Sequence, residues 1–427
     1  MRAIGRRGAI RNLSSCGKSP QRISAIENGT LVTPTEIIEE GSVVIENGRI
    51  TDVLRNKLGL AQRTSKANIL NAENKLVIPG MIDIHTHGLC GGSALDGAKD
   101  SILKMALAFP KYGVTSFLPT TVAEPRELLL SAAKAIAEIV GGIAAPNGAE
   151  VLGMNLEGPF ISKDKPGAMP LSSIREPDIN EFNQIYDESK GSVKLITVAP
   201  EVNGALDFIK KVRARGITVA AGHSNASYEE MLAGIDAGIT HASHTFNAMR
   251  EFKQRDPGIL AAILTRDDVS AELIADGVHV HEGAMRLLIK AKGPRRIILI
   301  SDSMPLAGMP DGTRDLMGFK VEKEDGVLRL PSGKLAGSAV TLDRSLRMAV
   351  NQLGVPLREA VTMVTTNPAR VIRAENRKGA IEKGKDADLT ILERNDLSVY
   401  TTIRGGQIAY CSSSDKRKHD QVGGRLN

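Results

Sequence analysis

Residues 80–377 repeat one unit, and that repeat limits the folds open to the chain. A short apolar run comes first, then a stretch with apolar residues near 3.6 spacing that often stops at Gly. The apolar runs are MIDIHTH, GVTSFLPTT, EVLGMNLEGPF, VKLITVAPE, GITVAAGHS, GITHASHTFN, SAELIADGVHV and RIILISDSM. Amphipathic stretches such as PRELLLSAAKAIAEIV, GALDFIKKVRARG and HEGAMRLLIKAKG separate most of them. Near-continuous apolar strands alternating with such helices imply a parallel sheet covered on both faces. Eight of them predict an α/β protein built on a (β/α)8 TIM-like barrel, with a doubly wound open sheet as the alternative. No GxGxxG follows the first strand and no GxxxxGK[ST] occurs, so a nucleotide-binding version has no support.

The flanks have another texture. GTLVTP, GSVVIENGRITDVL and NKLVIPG alternate β-rich pieces with turns, and Asn47-Gly48 marks a two-residue hairpin. KGAIEKGKDADLTILERN and SVYTTIRGGQIAYC repeat that pattern near the other end. We expect residues 23–79 and 378–412 to form one small, discontinuous β-sandwich domain beside the barrel of residues 80–377. Residues 1–22, rich in Arg and free of acids, and 413–427 read as disordered tails. Those tails carry much of the net charge of +6, so no basic surface for nucleic acid is expected. No apolar run reaches the ~18–20 residues of a membrane helix. The three cysteines, Cys16, Cys90 and Cys411, lie far apart with no CxxC, which fits a reducing, cytoplasmic setting. Asn225-Ala226-Ser227 matches a glycosylation sequon but is expected in the functional site, where a glycan has no room.

Polar residues collect at the C-terminal ends of the predicted strands, where barrel enzymes keep their chemistry. Strand one ends in His85-Thr86-His87, strand three in Glu157, strand five in His223, strand six in His244, strand seven in His279 and strand eight in Asp302. Each alone has an ordinary reading: a polar strand end, a helix cap or a buried imidazole bonded to backbone. Together they do not. His85 and His87, two apart, share one strand face, as a ligand pair requires. His241, within strand six, is assigned a structural role facing away from His244. Imidazoles with a carboxylate suit Zn²⁺ or Fe²⁺, and an open position keeps a water on the metal. Asp302 is placed to take that water's proton and pass it to a leaving group, which is hydrolytic chemistry on amides, esters or ring C–N bonds.

These residues resemble the amidohydrolase superfamily, in which an HxH on the first strand, His on strands five and six and Asp on strand eight recur. NLEGPFIS, AGHSNAS, HTFNAM, IADGVHV and LAGSAVTLD resemble, more narrowly, the N-acetylglucosamine-6-phosphate deacetylase family over residues 25–412. The resemblance implies a metal-dependent hydrolase that removes acetate from N-acetyl-D-glucosamine 6-phosphate, commonly as a homodimer. It implies Glu157, His223 and His244 as metal ligands, His85 and His87 as ligands of a second ion, and Asp302 as general base and acid. It assigns His279, Asn247, Ala248 and Arg255 to the substrate, the last three to its phosphate, and Leu335, Ala336 and Gly337 to the acetyl group. One or two ions fit equally. Lys194 stands near the start of its strand, so a carboxylated-lysine bridge is not expected and Glu157 takes the bridging place. A different N-acetyl amino sugar phosphate or a cyclic amide is the alternative substrate.

Overall fold

The structure, a computed structural model, describes residues 22–56, 68–141, 145–316 and 319–412. The tails expected at either end fall almost wholly outside that range. The central sheet contains eight parallel strands: β1 (Met81–Thr86), β2 (Val114–Thr121), β3 (Met154–Glu157), β4 (Val193–Val198), β5 (Thr218–Ala221), β6 (Ile239–Ala242), β7 (Ser270–Ile274) and β8 (Ile297–Ile300). Each pairs with the next in sequence order. Closure between β8 and β1 comes just beyond the strands: the Asp302 N–H donates to the His85 carbonyl at 2.9 Å, and Thr86 bridges Ser303 in parallel. This is the expected barrel rather than the open sheet.

The strands are buried on both faces, as their composition demands: all eight residues of β2 and all four of β8 are inaccessible. Helices α1 (Lys99–Ala108), α2 (Arg126–Ala137), α3 (Ile179–Glu188), α4 (Ala205–Arg213), α5 (Tyr228–Ala237), α6 (Gly258–Thr265), α7 (Glu282–Lys292) and α8 (Leu342–Arg347) follow the strands in turn. The Ser227–Glu230 capping box starts α5, and Gly238 ends it at φ 129°. Two of the helices between barrel strands, α6 and α3, are not among the amphipathic stretches the sequence offers. GILAAILT of α6 has no polar residue before its last, Thr265, so its burial leaves no stripe to read. INEFNQIYDE of α3 does have a stripe, and Asp178 caps it by accepting from the Asn180 N–H.

A second sheet runs Gln407–Cys411, Val399–Arg404, Leu389–Glu393, Lys75–Pro79, Ala25–Val32, Ile37–Glu46 and Arg49–Leu54, with Ile69–Asn71 also against Ala25–Val32. The chain ends meet where Leu389 pairs antiparallel with Pro79 and Ile391 with Val77. Hydrogen bonding is continuous across the sheet, which curls around Ile26, Leu31, Val43, Ile45, Leu389 and Ile403. The hairpin turns at its two edges fold back on segments that lead into inner strands, with the Ala387 N–H donating to Gly48 O and the Ile23 N–H to Gly406 O. The small sandwich is therefore one curled sheet. Asn47 and Gly48, at φ 51° and 78°, form the expected two-residue hairpin loop.

Between β8 and α8 the chain inserts a four-stranded antiparallel meander, Gly312–Leu316, Phe319–Glu324, Val327–Arg329 and Leu335–Ser338. Its last strand is tied to the barrel mouth: the Met304 N–H donates to Ser338 O at 2.9 Å, and the Ser338 N–H to Asp302 O at 3.2 Å.

Candidate active site

Glu157 is the last residue of β3 and is 2 % exposed. Gly158 follows at φ 77°, a left-handed conformation that a β-carbon would strain, so the backbone turns away and leaves the carboxylate facing the barrel axis. Its Oε1 lies 2.7 Å from His244 Nε2 and 3.0 Å from His223 Nε2, and those nitrogens are 3.1 Å apart. A triangle of these sides leaves a point about 2.0–2.2 Å from all three atoms, the length of a bond to a divalent transition ion. On the other side of Glu157, its Oε2 is 3.3 Å from His87 Nε2, and Asp302 Oδ1 is 3.1 Å from His87 Nε2 and 3.5 Å from His85 Nε2. Glu157 thus stands between two ligand groups.

The outer nitrogens are held in a way that aims the inner ones. His223 Nδ1 is bonded to Lys165 O at 2.9 Å, His87 Nδ1 to Thr120 O at 3.0 Å and His85 Nδ1 to Glu272 Oε2 at 2.8 Å. A carbonyl or carboxylate on one ring nitrogen fixes the tautomer and frees the other to ligate. His85 Nε2 is buried without a hydrogen-bond partner, as a ligand atom would be. Three of these residues bend the backbone: His223, His244 and Asp302 sit at φ 47°, 23° and 48°. Non-glycine residues in that region cost about 1–3 kcal/mol each and persist where the surroundings enforce them.

Sequence reasoning passed over the carboxylates behind this layer. Glu272, in the middle of β7 and fully buried, accepts from the His244 N–H at 3.0 Å and contacts His85 Nδ1 and His241 Nε2. His241 therefore does not face away from the site: it shares a carboxylate with His85, and its Nδ1 contacts Ser270 Oγ at 2.7 Å. Asp276 holds His279 Nδ1 at 2.6 Å and leaves its Nε2 buried and unpartnered. Burial raises Asp83, in β1, to about 6 despite hydrogen bonds from Ser301 and His85. A charged residue inside an otherwise apolar strand was the available signal for Glu272 and Asp83.

A cavity of about 380 Å³ opens over these groups. Glu157, His87, His223, His244, His279 and Asp302 line its floor, and Asn247, Ala248, Leu335, Ala336 and Gly337 its walls. Arg255 is not brought to it: it lies exposed on the tight hairpin closed by the Lys253–Asp256 bridge. Asn225 is adjacent rather than inside, its Nδ2 donating to Asp164 at 3.2 Å. The Amidohydrolase family profile matches residues 76–409.

The chain belongs to the amidohydrolase family.

Its relatives include the Bacillus subtilis (strain 168) N-acetylglucosamine-6-phosphate deacetylase, 33% identical over 93% of this chain and 98% of that protein. The Escherichia coli O157:H7 N-acetylgalactosamine-6-phosphate deacetylase is 37% identical over 80% of this chain and 90% of that one. Among solved structures, an alanine variant of the Mycobacterium smegmatis N-acetyl-D-glucosamine-6-phosphate deacetylase, in complex with N-acetyl-D-glucosamine-6-phosphate, superposes with a TM-score of 0.84 at 31% identity, covering 91% of this chain and all of that one. Membership implies a divalent metal, and the donor set of this amidohydrolase fits one. Burial opposes charge on His87, but Asp302 and Glu157 outweigh it and raise its pKa to about 9. Burial likewise works against the Glu157 carboxylate, and His85, His223 and His244 overcome it to hold the group well below the usual range. The pocket is built to keep buried negative charge beside a cation, and a divalent ion taken up there displaces protons.

Proposed function

We propose that this amidohydrolase hydrolyses the N-acetyl group of N-acetyl-D-glucosamine 6-phosphate, giving glucosamine 6-phosphate and acetate. The convergence of Glu157, His223 and His244 within 3.1 Å of one another on the floor of this cavity carries the reading. The names of its relatives supply the substrate. Glu157, His223 and His244 would hold one Zn²⁺ or Fe²⁺, and His85 and His87 a second. Such an ion, when bound, acidifies a water and polarises an acyl carbonyl. Asp302, its carboxylate reaching the cavity, accepts the proton of the attacking water and returns it to the departing nitrogen as that C–N bond breaks. His279, whose Nδ1 is occupied by Asp276, presents Nε2 to the acyl oxygen or a sugar hydroxyl. Leu335, Ala336 and Gly337 cover the acetyl group, with Met304 beside them. Asn247 and Ala248 take the phosphate. Arg255 joins them only if its hairpin closes or a second copy presents it, and we assign a homodimer.

We assign catalysis to residues 80–377 and support to the sheet of 23–79 and 378–412. We assign the protein a cytoplasmic setting and a small-molecule substrate rather than nucleic acid or membrane. No helix among the described residues is long and apolar enough to cross a membrane.

The Escherichia coli relative favours a second reading, the galactosamine epimer. Acetate release from N-acetylglucosamine 6-phosphate, N-acetylgalactosamine 6-phosphate and unphosphorylated N-acetylglucosamine decides between them. We expect the first to give the highest kcat/KM and the last almost none. Preference for the galactosamine substrate would reverse the assignment, and equal turnover of the unphosphorylated sugar would remove the phosphate from it.

A further inference from the structure

A second cavity, of about 430 Å³, lies at the opposite mouth of the barrel, against the N-terminal ends of β5–β8. Five arginines surround it: Arg213 at the end of α4, Arg295 and Arg296 just before β8, and Arg370 and Arg373 on the segment packed beneath. None forms an ion pair among the described residues. Arg213 makes one long hydrogen bond, at 3.4 Å, to Ile217 O. The one lining carboxylate, Asp268, is already engaged by Arg266 through two bonds of 3.0 and 2.8 Å. Burial, and then the charge of Arg373, pull the Arg213 guanidinium below its ordinary value.

The floor is polar as well. Asn367 is 3% exposed, and both hydrogens of its amide go to carbonyls, Pro294 O and Ile297 O at 2.8 Å each. That fixes the amide's orientation and leaves Oδ1 buried without a partner. Guanidinium groups crowded around a concavity whose one lining carboxylate, Asp268, is taken up by Arg266 match the fork geometry of phosphate oxygens. An unsatisfied acceptor beneath them suits a hydroxyl donor.

We propose that this mouth of the barrel is a second binding site, distinct from the active site, for a small phosphorylated molecule. The phosphoryl group sits among Arg213, Arg295, Arg370 and Arg373, and a hydroxyl of the same molecule reaches Asn367. The volume holds one sugar-phosphate-sized ligand and excludes a folded macromolecule.

Calorimetric titration of the metal-loaded enzyme with glucose 6-phosphate and, separately, with inorganic phosphate tests this. We expect two equivalents per chain. Arg370→Glu with Arg373→Glu, both exposed positions, should remove one of them or weaken it at least tenfold, while kcat and KM for acetate release stay unchanged. Tighter binding of glucose 6-phosphate than of phosphate identifies a sugar phosphate as the ligand, and equal binding identifies the free anion. Should that variant misfold, Arg295→Gln with Arg296→Gln carries the same expectation. One equivalent in the wild type, or unaltered stoichiometry and affinity in the folded variants, overturns the site.

Discussion

Asp302 reaches the cavity through a carboxylate whose backbone is pinned on both sides. Its N–H donates to His85 O, and its own carbonyl accepts from Ser338. Burial raises its pKa, but the hydrogen bond from His87 and the charges of His85 and His87 outweigh that and keep it ionised, as a proton acceptor must be. Asp302→Asn should keep its metal and lose about 10²–10⁴-fold in kcat, read by metal analysis and acetate release; near-normal turnover removes Asp302 from the mechanism. Glu272 acts one layer back. Glu272→Gln should weaken metal binding about 10–100-fold in a chelator competition, because His85 loses the group that fixes its tautomer. The strand-end histidines were legible because β-strand ends are marked by where apolar runs stop. The left-handed backbone of His223, His244 and Asp302 was not: His and Asp adopt it more readily than most residues, but only in a small minority of cases, so residue type alone does not mark it. Arg255 was legible as a residue and not as a position: its distance from the cavity is set by a hairpin whose path local sequence does not encode.

The meander shows the same division between elements. LAGSAVTLD announced itself as a site segment, but the strands before it, broken by charged residues, gave no sign that they would fold over the barrel mouth. Gly337 carries the consequence. At φ 80°, a β-carbon there would meet Met304 Cγ at 2.4 Å, so only glycine lets this strand lie against the floor. Gly337→Ala should lower kcat/KM about ten- to a hundredfold through a displaced acetyl wall, with metal content unchanged. Steady-state kinetics beside metal analysis checks this, and wild-type kcat/KM would mean the strand does not position the substrate. The near-continuous apolar strands were the plainest signal of all, because burial on both faces leaves few polar residues to blur them. Helix α6 was hidden for the same reason.

At the scale of the molecule, barrel and terminal sheet are joined by buried charge. Lys378, 4% exposed, places Nζ 2.6 Å from Glu150, 2.5 Å from Asp388 and 3.0 Å from Asp386. Glu150 pairs its backbone with β2, whereas Asp388 immediately precedes the sheet strand Leu389–Glu393. Burial alone would raise Glu150, but Lys378 and Arg377 overcome it and lower its pKa, so its stabilising effect is full above the ordinary 4.5 and is lost as pH falls through the lower folded value. For Lys378 the carboxylates outweigh burial and raise the pKa, so that effect is full below the ordinary 10.5 and is lost only at still higher pH. Stability should therefore hold across neutral pH and fall first on the acid side. Lys378→Met, leaving buried Asp388 without its cation while Arg377 still pairs Glu150 and Asp386, should cost about 3–5 kcal/mol in denaturant unfolding at pH 7. A loss under ~1 kcal/mol would mean the cluster does not join the two parts. The shared texture of the two flanks suggested one domain; their direct pairing and the single curled sheet were not legible.

The most direct test compares wild type with Glu157→Gln after chelation and reloading with Zn²⁺ or Fe²⁺, measuring bound metal and acetate released from N-acetylglucosamine 6-phosphate in the same samples. The account predicts that stripping abolishes turnover, that reloading restores it in the wild type, and that Glu157→Gln recovers neither stoichiometric metal nor activity. Full turnover by the stripped enzyme, or wild-type metal and activity in Glu157→Gln, would contradict it.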